Sequence, residues 1–374
     1  MTEKAKQPTT FHYILFSIII CISLIFSTDL FAETSISGII AQDTTWTVDG
    51  SPYIVTGSVT VQGTDGTDGI TSLTIEPGVE VRFNRYMMMT IGGTSGAPGA
   101  LSAQGSTDNK IYFTSNQASP APGDWYYIKF NTTTDDATTI LDNCVVEYAG
   151  VSQGAINIYS ASPTIQNSLI KNNKNAGVYI AYGSAILTNN TISDNTTYGV
   201  NMTGSSSEIS NTSFNNNGNY DIYSGGVFTG KVNNNEIRNG LYTGSGAFPD
   251  LSGNTIQYNN AYPLRMGADS VGALMADNTI TGTDAQSFME VTTDTIEKDA
   301  TWTSILKYHI LGNLIVQGTD GTDGITTLTI EPDVEVRFNR YIMMTIGGTS
   351  GAPGALSAQG STDNKIYFTS NQAS

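Results

Sequence analysis

Asn189-Asn190-Thr191-Ile192-Ser193-Asp194-Asn195 is followed 22 residues later by Asn211-Thr212-Ser213-Phe214-Asn215-Asn216-Asn217. Reading outward from this pair, variants of Asn-Thr-Ile recur with an apolar residue at Val146, Ile170, Ile192, Phe214, Ile237, Ile256 and Ile280, at spacings of 24, 22, 22, 23, 19 and 24. A period near 22 that tolerates small insertions marks a solenoid, in which one repeat is one turn of a coil and cannot bury its apolar face alone. Coils stacked at the strand spacing of about 4.8 Å put each residue over its equivalent one period later. The sequence then resolves into columns. The Val146 to Ile280 column points inward as an aliphatic stack. Two places further stand Tyr148, Asn172, Asp194, Asn216, Asn239 and Tyr258, and three places further Asn173, Asn195, Asn217 and Asn259. These predict asparagine ladders at a turn, because stacked amides bond to the coils above and below and Asn tolerates the left-handed backbone of sharp corners.

Composition points the same way. Charged residues make up only 13% of the 374, while Gly numbers 39 and Tyr 19, which matches coiled-coil and disordered classes poorly and suits an all-β chain. A formal charge of −17 with 16 Lys and Arg argues against nucleic acid, whose phosphates need a basic footprint. It is compatible with cations, neutral glycans or simple solubility. No long 3.6-residue apolar period occurs outside the N-terminus, so helix should be scarce.

Residues 1–32 read as a signal peptide, with Lys4 and Lys6 before the apolar run Ile14 to Phe26 and Leu30-Phe31-Ala32 as cleavage site. Export to the medium or cell surface is the expectation. Cys21 lies in that run, which leaves Cys144, beside Val145 and Val146, as a lone thiol expected to be a small buried hydrophobe.

A longer repeat overlays the short one. Val61 to Ser119 returns as Val316 to Ser374, 255 residues on, with only Ser72/Thr327, Gly78/Asp333 and Met87/Ile342 differing in 59 positions. The expected organisation is a signal peptide (1–32), an N-terminal capping segment (33–58), one module (59–285) and the start of a second (286–374). Since Ser374 is the counterpart of Ser119, a longer tandem array is expected.

The chain resembles the right-handed parallel β-helix proteins of the pectate-lyase-like superfamily, in particular secreted bacterial β-helix repeat proteins. The residues that carry the likeness are Trp46 with Ser51-Pro52-Tyr53-Ile54-Val55, Leu73-Thr74-Ile75-Glu76-Pro77-Gly78-Val79, Pro122-Gly123-Asp124-Trp125 and the Asn-Thr-Ile coils. The resemblance implies an all-β solenoid of about ten coils with the start of a second module of the same type. It implies little about activity, because the superfamily includes lyases, hydrolases, epimerases, adhesins and passive stalks.

Polysaccharide-cleaving members place clustered Asp residues with Arg or Lys, often around calcium, on the outer face of one sheet. The outward column here reads Glu147, Lys171, Ser193, Asn215, Arg238 and Gln257. Hydrolysis needs two carboxylates about 5 to 9.5 Å apart, and this column offers one. Asp135, Asp136 and Asp142 could add an acidic patch, with Lys171, Arg238 or Arg265 as a base, but a surface ion pair Glu147–Lys171 and turn aspartates are the plainer readings. With His12 in the signal segment and His309 in the second module, triads and zinc sites lack their usual residue. The Asp/Gly loop holding Asp65 and Asp68, repeated at Asp320 and Asp323, is the candidate calcium site; its spacing is neither an EF-hand nor a nonapeptide repeat, and an exposed turn is the competing reading. The tyrosines Tyr126, Tyr179, Tyr198 and Tyr223, with Tyr159, Tyr182, Tyr220 and Tyr242, are candidates for stacking on a sugar or partner; half-buried columns belonging to the coil itself are the competing reading. The functional expectation is a non-catalytic surface or secreted module acting as spacer and glycan-binding or adhesive surface; a polysaccharide lyase or glycoside hydrolase is the alternative.

Overall fold

The computed structural model describes Met1 and residues 33–65, 67–93, 96–244, 250–258, 264–275, 277–282, 288–348 and 351–371. The expected signal segment, with His12 and Cys21, and also Asn259 lie outside the described residues. What is described is the expected right-handed parallel β-helix. Short strands wind through three faces, and every strand pairing is parallel. The described helix amounts to one five-residue turn, Val271–Met275, and two 3-10 turns.

Face I contains Glu80–Phe83, Ile111–Ser115, Cys144–Glu147, Leu169–Lys171, Thr191–Ser193 and Ser213–Asn215, and ends at Thr279–Gly282. Face II contains Met89–Ile91, Ile128–Phe130, Gly154–Tyr159, Ala176–Ala181, Val200–Thr203, Ile222–Ser224, Leu241–Thr243 and Arg265–Gly267. Face III is a nine-stranded sheet from Thr44–Trp46 to Asp250–Ser252. The long strand Tyr53–Val61 bends to serve both face I and face II, and Thr34–Ile40 pairs with it along its length.

The inward stack follows the period. Val146 pairs with Ile170, Ile192 with Phe214, and Ile256 with Ile237 and Ile280. All except Ile280, which is half-buried, are fully enclosed. Each such side chain contributes roughly 1.5–3 kcal/mol of burial, and no coil supplies the cover for its own.

The corner after face I divides between two columns the tasks predicted for one. Tyr148, Asn172, Asp194 and Asn216 take left-handed backbone, at φ 63, 54, 55 and 54. The residues after them are buried and form the ladder. Asn195 donates to Ile170 O at 3.2 Å and to Asn217 Oδ1 at 3.0 Å, and Asn173 repeats this with Val146 O and Asn195 Oδ1. The expected continuation at Asn239 is corrected by the structure: Gly240 is the left-handed residue there, at φ 67, and the ladder ends on the buried carboxylate of Asp221. The coil from Ile237 to Ile256 is the short one, and its corner is drawn differently.

A second ladder lies before face I, within the Asn-Thr-Ile phrase itself. Ser168, Asn190, Thr212, Asn235, Asn254 and Asn278 occupy the place two residues before the apolar column, and each receives a backbone N–H from the coil before it. Asn190, Asn235 and Asn254 also donate to the carbonyls of Ile165, Ile209 and Val232. Cys144 holds the same place, its Sγ 3.4 Å from Ala103 O and its N–H bonded to Ser168 Oγ. Burial pushes its thiol well above the ordinary range, so it is an inert member of the ladder.

The two long repeats do not stack in phase. In the first, Tyr53, Val81 and Phe113 belong to face I. In the second, Tyr308 pairs with Met289, and that strand pairs with Arg265–Gly267, so the counterparts Tyr308, Val336 and Phe368 continue face II. Leu314–Val316 and Thr326–Ile330 then belong to two new three-stranded sheets. The helical turn Val271–Met275 packs between Asp250–Ser252 and Ala300–Trp302 at this junction. The lead-in stack is kept in both copies, with Trp46 on Tyr53 at 4.8 Å and Trp302 on Tyr308 at 4.7 Å.

Candidate ligand-binding face

Along face II the outward central column reads Thr90, Lys129, Asn157, Tyr179, Asn201, Tyr223, Tyr242, Arg265, Glu290, His309 and Arg337. Alternation puts these side chains outside because their neighbours Ile128, Ile156, Val178, Val200 and Ile222 fill the interior. Residues from the corner before each strand lean onto the same column. Tyr198 lies 4.7 Å from Tyr223, Tyr220 lies 5.6 Å from Tyr242, and Tyr223 stacks on Tyr242 at 4.6 Å with 16° between planes. Nearer the N-terminus Tyr126 adjoins both Tyr86 and Tyr127, and Tyr159 packs on Tyr179 at 5.8 Å with the Lys129 ammonium over the Tyr159 ring at 4.7 Å. The candidate tyrosines Tyr126, Tyr179, Tyr198 and Tyr223 are therefore brought to one face, where all are half-buried. Tyr182 instead stands in a left-handed corner, 70% exposed.

Burial pushes the phenol of Tyr220 up to about 12, and raises those of Tyr127, Tyr179 and Tyr223. Burial thus favours the neutral hydroxyl at these four positions. Asn157, between Lys129 and Tyr179, is 1% exposed, and its Oδ1 has no hydrogen-bond partner. Past Tyr242 the strip becomes ionic: Arg265 pairs with Glu290 at 3.6 Å, and Phe288 takes the Arg337 guanidinium at 4.4 Å. His309 Nε2 is 2.8 Å from Asn339 Oδ1. Arg337 is on this face only because the second repeat is rotated; its counterpart Arg82 is on face I.

The acidic candidates are not gathered into one cleft. Asp142 is on face III, where Asn143, Gln166 and Asn167 donate to it. Asp135 accepts from Thr138 N and Oγ1, and Asp136 from Ser162 N, as turn residues do. Glu147 is on face I, 3.6 Å from Lys171 and bonded to Thr114. Arg238 pairs with Glu236 at 2.6 Å. Sequence reasoning missed Glu80 and Arg82. They line an open groove of about 520 Å³ with Thr114, Asn116 and Glu147, and form their own ion pair at 2.7 Å. The alternation Glu80-Val81-Arg82-Phe83 was the available signal, since it turns both charges outward.

In the Asp/Gly loops, Asp65 accepts from Asp43 N and Asp68 from Ile70 N, while Asp320 and Asp323 accept from Asp299 N and Ile325 N. Among the described residues no group of three or more His, Cys, Asp or Glu is placed to hold a metal ion. No described helix is long and apolar enough to cross a membrane.

The family described as "Right handed beta helix region" matches residues 104–256 and 183–298. Together these matches cover more than half of the chain, which belongs to that family. Neither a curated protein nor a solved structure matches it.

Proposed function

We propose that this chain is a non-catalytic β-helix module, exported to the cell surface or medium, that acts as a rigid spacer and binds glycan along face II. The observation that carries this reading is the convergence of Tyr126, Tyr179, Tyr198 and Tyr223, with Tyr220 and Tyr242, on one outer face. Ring edges and protonated hydroxyls suit sugars, which present apolar faces ringed by hydroxyl groups. The formal charge of −17 favours a neutral polymer over a polyanion. The test is a glycan array with the purified chain, followed by titration of any ligand against Tyr179→Ala and Tyr223→Ala. A binder weakened at least tenfold by both substitutions, with unchanged circular dichroism, is expected. An array with no binder overturns the reading.

A second reading has one observation in its favour, the face I groove in which Glu80 and Glu147 lie with Arg82. A lyase or hydrolase centred there would release unsaturated ends or reducing sugar from pectate, alginate or related polymers supplied with Ca²⁺. Product formation lost in Glu147→Gln would replace the binding proposal.

A further inference from the structure

Tyr223 has three aromatic neighbours on face II: Tyr242 at 4.6 Å, Tyr198 at 4.7 Å and Tyr220 at 6.5 Å. Tyr223 and Tyr242 are register partners on adjacent coils, 19 residues apart in sequence, with rings 16° from parallel. We infer that this cluster is a site of oxidative modification, at which Tyr223 and Tyr242 join as dityrosine and staple two successive coils.

The chemistry needs two phenols in contact and a one-electron oxidant. Hydrogen peroxide acting through a haem peroxidase meets the second need: it removes one electron and one proton from each phenol and is reduced to two waters. The two phenoxyl radicals couple through a new carbon–carbon bond between ortho positions. Each ring then shifts its ortho hydrogen to oxygen and recovers its aromatic phenol, so the product is lighter by two hydrogens. Rings stacked at 4.6 Å between centroids bring the ortho carbons of the two phenols close to one another, and coupling then needs a rotation that sets them edge to edge. Four adjoining phenols also let a radical formed on any one of them reach Tyr223. A disulfide has no place in the described chain, whose one cysteine is the buried Cys144.

The experiment treats the purified chain, at low micromolar concentration, with hydrogen peroxide and a haem peroxidase. Dityrosine fluorescence is read in the monomer fraction, and linked peptides are mapped by tandem mass spectrometry. The expected product is a monomer two hydrogens lighter whose linked peptides carry Tyr223 and Tyr242. Tyr223→Phe and Tyr242→Phe, which keep the ring stack, should each remove most of the emission. Tyr86→Phe, which removes a phenol 52% exposed, should not. Absence of dityrosine from the monomer, or its mapping to Tyr86, Tyr182 or Tyr341, overturns the inference.

Discussion

Asn217 donates its side-chain amide to Asp221 at 2.8 Å, and the other carboxylate oxygen of Asp221 accepts the backbone N–H groups of Arg238 and Asn239, both at 2.7 Å. One buried carboxylate thus closes the ladder and satisfies three donors that the short coil would otherwise strand. Burial raises its pKa despite those donors. Asp221→Ala is expected to destabilise the chain by at least about 3 kcal/mol, since each orphaned buried donor costs about 1–3 kcal/mol. Urea unfolding monitored by circular dichroism would read this as a lowered midpoint with unchanged slope.

The two corner columns should respond differently to the same substitution. Asn195→Ala removes a buried amide bonded to Ile170 O and Asn217 and leaves Asn173 without its acceptor, for an expected loss of about 2–4 kcal/mol. Asn216→Ala removes only an exposed bond to Asp194 and puts alanine, which tolerates the left-handed region less well than asparagine, at that corner, for roughly 1–2 kcal/mol. Equal midpoint shifts for the two would contradict the division of roles.

Phe214 is fully buried between Ile192 and the next coil. Phe214→Ala should cost about 3–5 kcal/mol through lost transfer energy and a residual cavity. A thermal melt in which this variant matches the parent would mean that the stack does not carry the fold.

Asp269, in the 3-10 turn at the junction of the repeats, is 8% exposed and has one oxygen without a partner. Burial first, then repulsion from Asp294 and Glu297, lifts its pKa to about 6, partly offset by the N–H of Glu297. An acid with a raised folded pKa holds its proton better folded than unfolded, so its stabilising contribution is full below about pH 4 and lost as the pH rises through about 6. Relative to Asp269→Asn, the parent should therefore lose about 2–3 kcal/mol between pH 4 and pH 7. Denaturant midpoints of both proteins at the two pH values give the comparison, and a parent that gains stability on the variant as the pH rises would reverse the sign.

Calcium should leave the melting temperature unchanged, because Asp65, Asp68, Asp320 and Asp323 already accept backbone N–H groups. A rise of several degrees on adding Ca²⁺, reversed by a chelator, would assign a cation to these loops.

The stacking of Ile192 under Phe214 was legible because apolar residues at one period have a single way to be buried. The second ladder was hidden in plain view: Asn190 and Asn235 are the first letters of the repeated phrase, but Ser168, Thr212 and Cys144 share their column, and no single residue type advertises it. Cys144 read correctly as buried; its hydrogen-bonding place needed coordinates. The grouping of tyrosines on face II was only half legible, since Tyr198 and Tyr220 reach it from corners whose direction depends on backbone turns rather than on alternation. The rotation of the second repeat was not legible at all. Local identity between Val61–Ser119 and Val316–Ser374 says how each segment folds, and the face it joins is decided by the strand beneath it.

That rotation separates copying from resemblance. Glu80 and Arg82 look out over Glu147, whereas Glu335 and Arg337, identical in local sequence, look out beside Phe288 and His309. Duplicating a segment in such a scaffold turns it to a fresh azimuth, like a tread on a spiral stair, so novelty of surface arises before any residue has mutated.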